Sequence, residues 1–246
     1  MSQIASAGIK GRTKNDRHGQ SLTDHDVHEY IYKAIVEHRL TPGTKLTEEA
    51  LAETFGVGRM RIRTVLNTLS HSRLINLEPN RGAFVAQPTA AEAREVFAAR
   101  RMIEAAIIRE AVQLATPGQI AALRGIIAEE HAALERNDKR AAIQLSADFH
   151  LKIAESVENQ SLLRFMRELT SRTSLAIALF ERPGRSSCQF NEHEALLQHF
   201  EVKDSDAAAK AMSDHLTSIE SELDLSERPV GDVDLKKVFG DMGLSS

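Results

Sequence analysis

Arg59, Arg61 and Arg63 fall within five residues of one another, and no acidic side chain follows them before Glu78. A guanidinium fork matches the O6 and N7 edge of guanine in a major groove and also clamps phosphate oxygens. On one helix Arg59 and Arg63 share a face, and Arg59, nearer the N-terminal end, is better placed for a base edge. Arg61 is turned away by about 200° and suits the phosphate backbone. The competing reading is a solvated helix face. A second group is His150, His193 and His215. Three imidazoles can hold a divalent ion such as Zn²⁺ or Ni²⁺ and leave positions open for water or a carboxylate. Here the competing reading is three unrelated, partly exposed histidines.

The arginines need an element to present them. Leu51, Phe55, Val57, Ile62, Val65 and Leu69 recur as two helical stripes facing each other across a break at Gly56-Val57-Gly58. Gly56 can take the positive φ that ends one helix and opens a sharp turn, and Ala52 lets the helices approach. Thr47, followed by Glu48 and Glu49, reads as an N-cap with acids in the first turn. The second helix then runs over about 58–70. After it, 74–77 and 83–86 are short β-like runs around a turn at 78–82, which makes a two-stranded wing. Arg81 at its tip can enter a minor groove or hold a phosphate, and Gly82 lets the backbone come close. The candidate DNA-contacting set is Thr47, Arg59, Arg61, Arg63, Arg81 and Gly82.

The histidines lie in a different setting. Beyond Thr89 the β signal is almost absent, and helix-period segments cover about 90–115, 117–136, 139–157, 161–181, 189–202 and 205–225. Thr116-Pro117-Gly118, Asn137-Asp138, Glu158-Asn159, Arg182-Pro183-Gly184 and Lys203-Asp204 separate them. Short connections imply mostly antiparallel neighbours. With a turn near Lys203, His193 and His215 each sit roughly 15 to 18 Å from it at about 1.5 Å per residue, so antiparallel packing sets them at one height. Spacing alone does not bring His150 to them. The fold class expected is mainly α: a winged helix-turn-helix at 21–87, an all-α bundle at 88–225, and tails at 1–20 and 226–246.

Composition narrows the partners. The 246 residues suffice for two modest domains, with 42% hydrophobic and 27% charged residues. Residues 1–88 carry net +3 and residues 89–246 net −7, a split that fits DNA contact by the first part only. Trp is absent and aromatics are 4%, so stacking platforms for single strands are not expected. Cys188 is the single cysteine, which excludes an intrachain disulfide and a thiolate zinc site. No run is long and apolar enough for a membrane span, and residues 1–20 lack an apolar signal core, so a cytoplasmic protein is expected.

The segment VHEYIYKAIVEHRLTPGTKLTEEALAETFGV, the R-x-x-x-R helix and PNRGAFV together resemble the winged helix-turn-helix of the GntR family of bacterial transcription regulators. The resemblance implies DNA contact by Arg59, Arg63 and Gly82. The chain departs from the pattern at Gly58, where Ser is usual, and at Met60-Arg61, where a small residue and Pro are common. Residues 90–225 resemble the ligand-binding domain of the FadR subgroup. Its metal-binding members use an Asp four residues before the first His, with two more His on the last helices. His150, His193 and His215 fit that pattern, but Ser146 stands in place of the Asp. Asp148, two residues from His150, should point about 200° away. Arg100 matches an Arg that faces the effector cavity, and its fork suits a carboxylate. An ion pair with Glu104 at i+4 is the alternative. Arg100 and Ser146 form the candidate effector-contacting pair.

The reading that joins these parts is a ligand-responsive regulator, a repressor rather than an enzyme. It binds a palindromic double-stranded operator as a homodimer, switched by a small organic acid. A divalent metal at a three-His site lacking the usual Asp is the implied cofactor. Two rivals stay open. One is a metal-dependent enzyme using His150, His193 and His215, although no acid is set by motif as a general base, and Glu192 and Glu194 leave the face of His193. The other is an architectural module with no effector, which a filled apolar core in place of a polar cavity would favour.

Overall fold

The computed structural model describes residues 22–182 and 192–225, together with Gly240. The tails expected at 1–20 and over nearly all of 226–246, and Cys188, lie outside the described residues.

The first helix, α1 (Asp24–Val36), opens with a capping box. The Thr23 hydroxyl accepts from the Asp26 N–H, and the Asp26 carboxylate accepts from the Thr23 N–H. Strand β1 (Lys45–Leu46) leads into α2 (Glu48–Phe55), whose N-cap is Thr47, its hydroxyl accepting from Ala50 N at 3.3 Å. Gly56, at φ 64°, closes α2 in the left-handed conformation that a helix C-terminus favours in glycine. Helix α3 (Arg59–His71) follows after two residues, with Gly58 at an N-cap that makes no side-chain hydrogen bond. Leu51 and Phe55 of α2 and Ile62, Val65, Leu66 and Leu69 of α3 bury the two stripes against Ile31 and Ile35 of α1.

Strands β2 (Ile75–Glu78) and β3 (Gly82–Val85) form the wing hairpin, with Asn80 at φ 61° in its turn. These are the two strands expected of the wing, and a third joins their sheet. β1 pairs antiparallel with β3, Lys45 opposite Phe84 and Leu46 opposite Ala83, giving the order β1-β3-β2. A two-residue strand leaves no alternation to read. It is fixed instead by long-range bonds beside it, Gly43 N to Val85 O at 2.8 Å and Val85 N to Thr44 O at 2.9 Å.

Six helices make the second part: α4 (Ala90–Leu114), α5 (Pro117–Glu135), α6 (Lys139–Ser156), α7 (Gln160–Phe180), α8 (Glu192–Glu201) and α9 (Ser205–Ser221). Thr89 with Glu92 and Thr116 with Gln119 close capping boxes, while Asp138, Asn159 and Asp204 cap with side-chain oxygens. Helix α9 stops at Ser221 rather than near 225. The chain there leaves the helix to form an antiparallel bridge between Leu223 and Glu181, with Asp224 N donating to Phe180 O at 2.7 Å.

The main bundle core gathers residues of all six helices, among them Ile108, Ile127, Phe149, Met166, Leu197 and Met212. Helix α7 serves three cores at once, its Met166 belonging to this main one. Its Leu175 packs among the α1–α3 residues, and its Ala176 and Phe180 pack with Phe97 of α4 and Ile219 of α9. No helix among the described residues is long and apolar enough to cross a membrane.

Candidate functional site

The three histidines come together. His150 on α6, His193 on α8 and His215 on α9 are all buried, and one nitrogen from each lies within 4.8 Å of the others. His193 Nε2 and His215 Nε2 are 3.3 Å apart, as equal height across an antiparallel turn requires. Each ring is held from behind by a carboxylate. Glu104 Oε2 lies 2.6 Å from His150 Nδ1, Glu130 Oε2 lies 2.8 Å from His193 Nδ1, and Glu192 Oε2 lies 2.6 Å from His215 Nδ1. A carboxylate on Nδ1 fixes the tautomer with the proton there and frees the Nε2 lone pair, an arrangement typical of metal-ligating imidazole. Phe149 stacks on His193 at 4.3 Å and holds that ring from one side.

Burial keeps the rings of His150 and His215 neutral. It lowers His150 to about 4 against the pull of Glu104, with Arg100 adding to the lowering. Burial likewise lowers His215 to about 3, opposed by its bond to Glu192 and reinforced by the neighbouring rings. Burial alone would raise Glu104, but Arg100 and His150 outweigh it and bring the carboxyl to about 2. Imidazoles converging on one point, each backed by a carboxylate, fit a divalent cation.

Beside this cluster a cavity of about 40 Å³ is lined by Arg100, Ser146, His150, Thr170, Thr173 and Ser174, with Ile143, Ala147, Ile177 and Ile219 as its apolar wall. Arg100 makes the i+4 ion pair and also lines this cavity. Its Nε donates to Glu104 Oε1 at 2.5 Å, while its Nη2 is buried without a hydrogen-bond partner among the described residues. Thr170 Oγ1 is likewise buried and unpartnered. Arg100, Glu104 and His150 thus form one chain from the cavity to the histidine cluster. Asp148 is directed elsewhere, accepting from Gln144 Nε2 at 2.8 Å.

Glu192 takes a place that spacing along its own helix did not reveal. It leaves the face of His193, but the antiparallel pairing of α8 and α9 carries it to His215. In the sequence Glu104 stood out only as an ion-pair partner for Arg100 and Glu130 not at all, yet each is an acid on an otherwise apolar stripe. Glu104 falls between Phe97 and Ile108 on α4, and Glu130 falls in the row Leu123, Ile127, Ala133 on α5. Acids in such positions are almost never buried unless paired.

On the other part of the molecule, α2, α3 and the wing enclose a groove of about 430 Å³ lined by Lys45, Thr47, Glu48, Glu49, Arg63, Asn67, Glu78 and Gly82 among others. Arg63 makes two bonds to Glu48, at 2.7 and 2.8 Å, and Arg59 one to Glu49 at 2.5 Å. Arg61 lies apart, donating to Asp24 Oδ1 at 2.6 Å and to Leu22 O at 2.5 Å. Arg81 pairs with Glu78 at the wing tip and lies over the Phe84 ring. Gly82 has φ 104°, a conformation that side chains resist. Thr47 lines the groove, though its hydroxyl already caps α2. Lys45 also faces this groove, a cation that sequence reasoning passed over because it stands alone.

The two parts meet through α7. His38 Nε2, just beyond α1, donates to Ser174 O and Oγ at 2.9 Å, and the Ser174 hydroxyl donates to Val36 O at 2.8 Å. Ser174 also lines the Arg100 cavity.

Comparison with known proteins addresses both parts. Residues 23–85 match the model of bacterial regulatory proteins of the gntR family, and residues 95–218 match the FCD domain. The chain is 24% identical over 194 residues to the HTH-type transcriptional repressor RspR of Escherichia coli, covering 78% of this chain and 85% of that protein. It is 29% identical over 206 residues to the galactonate operon transcriptional repressor of Escherichia coli, covering 73% and 87%. Among solved structures, Escherichia coli McbR/YncC superposes with a TM-score of 0.71 at 20% identity over 79% of this chain and 93% of that one. A GntR regulator from Rhodococcus sp. RHA1, described as putative, gives 0.71 at 20% identity over 80% and 95%. These structures show the fold.

Proposed function

The chain belongs to the GntR family of DNA-binding bacterial transcription regulators and carries an FCD domain, and on that premise we propose that a small carboxylic acid, held by Arg100 beside a divalent metal ion, sets its operator occupancy. The observation that carries this reading is Arg100 Nη2, a buried donor with no partner among the described residues, on a side chain that lines a cavity next to three convergent imidazoles. The guanidinium charge is balanced by Glu104, but a buried donor left without an acceptor is costly, and a ligand carboxylate would remove that cost.

His150, His193 and His215 would hold the ion through Nε2, and Glu104, Glu130 and Glu192 would hold the rings. Zn²⁺ or Ni²⁺ would supply a Lewis-acidic partner for the acid. Ser146, where metal-binding relatives are expected to carry Asp, would leave that position to the ligand. The cavity is well below the roughly 300 Å³ of an ordinary ligand pocket. Entry of an acid therefore has to move side chains of α6 or α7, and movement is what a switch requires.

Binding without turnover fits the carboxylates. Each of the three that touch the cluster is occupied by a ring Nδ1, so none stands free to shuttle a proton. The relatives described as repressors support repression. We assign a dimer on a palindromic operator because one winged head covers only a half-site, and a cytoplasmic location because the operator is there. A tenfold switch requires about 1.4 kcal/mol of differential affinity for two arrangements of the heads.

The test is binding of the purified full-length protein to fragments of its source genome at fixed physiological salt, with bound metal assayed in the same sample. One enriched palindromic site with about one ion per chain is expected. Stoichiometric metal with no enriched site would move the assignment to a metal-dependent enzyme.

A further inference from the structure

Met60 lies in the first turn of α3 and is 69% exposed, well above Leu77 at 44%, the other large apolar side chain exposed in residues 22–89. Its neighbours explain why it stands free. Arg59 and Arg63 are drawn down onto Glu49 and Glu48 of α2, so both guanidinium forks lean to one side of the helix. Gly58, immediately before, adds no side chain to obstruct the end of α3. One turn later the Thr64 hydroxyl donates to Met60 O at 3.1 Å, and the Thr68 hydroxyl donates to Thr64 O at 3.1 Å. Both hydroxyls are spent on the helix's own carbonyls, which leaves the threonine methyl groups as what each side chain offers outward. Residues 60, 64 and 68 are spaced i, i+4, i+8, so the three form one apolar ridge along the exposed side of α3.

A single exposed apolar side chain needs no explanation. An apolar ridge on the helix that enters a major groove has one apolar feature to meet there, the C5 methyl of thymine. Methionine suits that contact because its unbranched, polarizable side chain adapts to the position of a methyl group. We propose that Met60 is a specificity-determining residue that reads a thymine methyl in each half-site, beside the base pair reached by Arg59. The proposal rests on α3 being the DNA-reading helix.

The experiment starts from the duplex that the full-length protein enriches out of a random-sequence library at fixed salt. Each thymine of that duplex is replaced in turn by deoxyuridine, which lacks only the methyl group, and affinity is measured for the wild type, Met60→Ala and Met60→Leu. One replacement per half-site should weaken the wild type about fourfold, the equivalent of burying one methyl group at ~0.8 kcal/mol. Met60→Leu should keep that discrimination, and Met60→Ala should bind the thymine and deoxyuridine duplexes equally. Because Met60 is exposed, all three proteins should melt together. The proposal fails if every deoxyuridine duplex binds the wild type as well as its parent, or if Met60→Ala discriminates as strongly as the wild type. Enrichment of no sequence at all would instead remove the assignment of α3 as a reading helix, and this inference with it.

Discussion

At the residue scale, the buried acids and histidines form one unit. Glu104 links Arg100 on the cavity side to His150 on the cluster side, so a change at either end is felt at the other. In the unfolded chain these rings take a proton near pH 6.5, whereas in the folded chain His150 holds out to about 4 and His215 to about 3. Between those limits the unfolded state binds more protons than the folded one, and stability falls as pH falls. For protein stripped of metal, helix melting in urea followed from pH 7 to pH 5 should lose about 2 kcal/mol per ring between pH 6.5 and 5. A midpoint that stays flat over that range would mean that the rings are open to water. The histidine set was legible because motif and spacing both marked it. Glu104 was legible only as the partner of Arg100, and Glu130 not at all, because an acid's burial depends on what faces it, although their places on apolar stripes were a signal in the sequence.

At the element scale, α2 and α3 compete for the same charges. Glu48 grips Arg63 with both oxygens, and this pair keeps the Glu48 carboxyl below its ordinary range. Docking on DNA requires Arg63 to exchange that carboxylate for phosphate or a base edge, while any like-charged carboxylate left in the groove repels the backbone. Glu48→Gln should therefore tighten binding to a random-sequence duplex about fivefold, the electrostatic yield of one added phosphate contact near 0.15 M salt. Affinity for the selected site should rise less, so the ratio between the two falls. Equal non-specific affinity in variant and wild type would show that Glu48 places no restraint on Arg63. The two helices and their turn could be read from Leu51, Phe55, Gly56, Ile62 and Leu69, since those residues act locally. Strand β1 could not, because only its partner β3, nearly forty residues away, makes Lys45 and Leu46 a strand.

At the scale of the whole molecule, the question is how a ligand near α6 reaches a helix in a groove. Helix α7 is the shared part: Thr170, Thr173, Ser174 and Ile177 line the cavity, Leu175 belongs to the core of the winged head, and Phe180 belongs to the bundle. Ser174 is the narrowest point of this path. The residue lines the cavity, and its hydroxyl donates to Val36 O and accepts from His38, so a ligand that competes for that hydroxyl loosens the head from the bundle. Tightly packed contacts of this kind change between discrete arrangements rather than bending continuously. Ser174→Ala removes the hydroxyl and keeps the His38 bond to the Ser174 carbonyl. Zn²⁺ affinity should be unchanged in this variant, since Ser174 is not among the three ligand residues. With a carboxylate that shifts wild-type operator affinity about tenfold, a coupling of about 1.4 kcal/mol, the shift in Ser174→Ala should fall below about twofold. Reciprocity requires the same loss when the carboxylate's own affinity is measured with and without operator DNA. If the variant keeps the full response in both directions, the coupling runs through another contact between α1 and the bundle, and Ser174 only supports the interface.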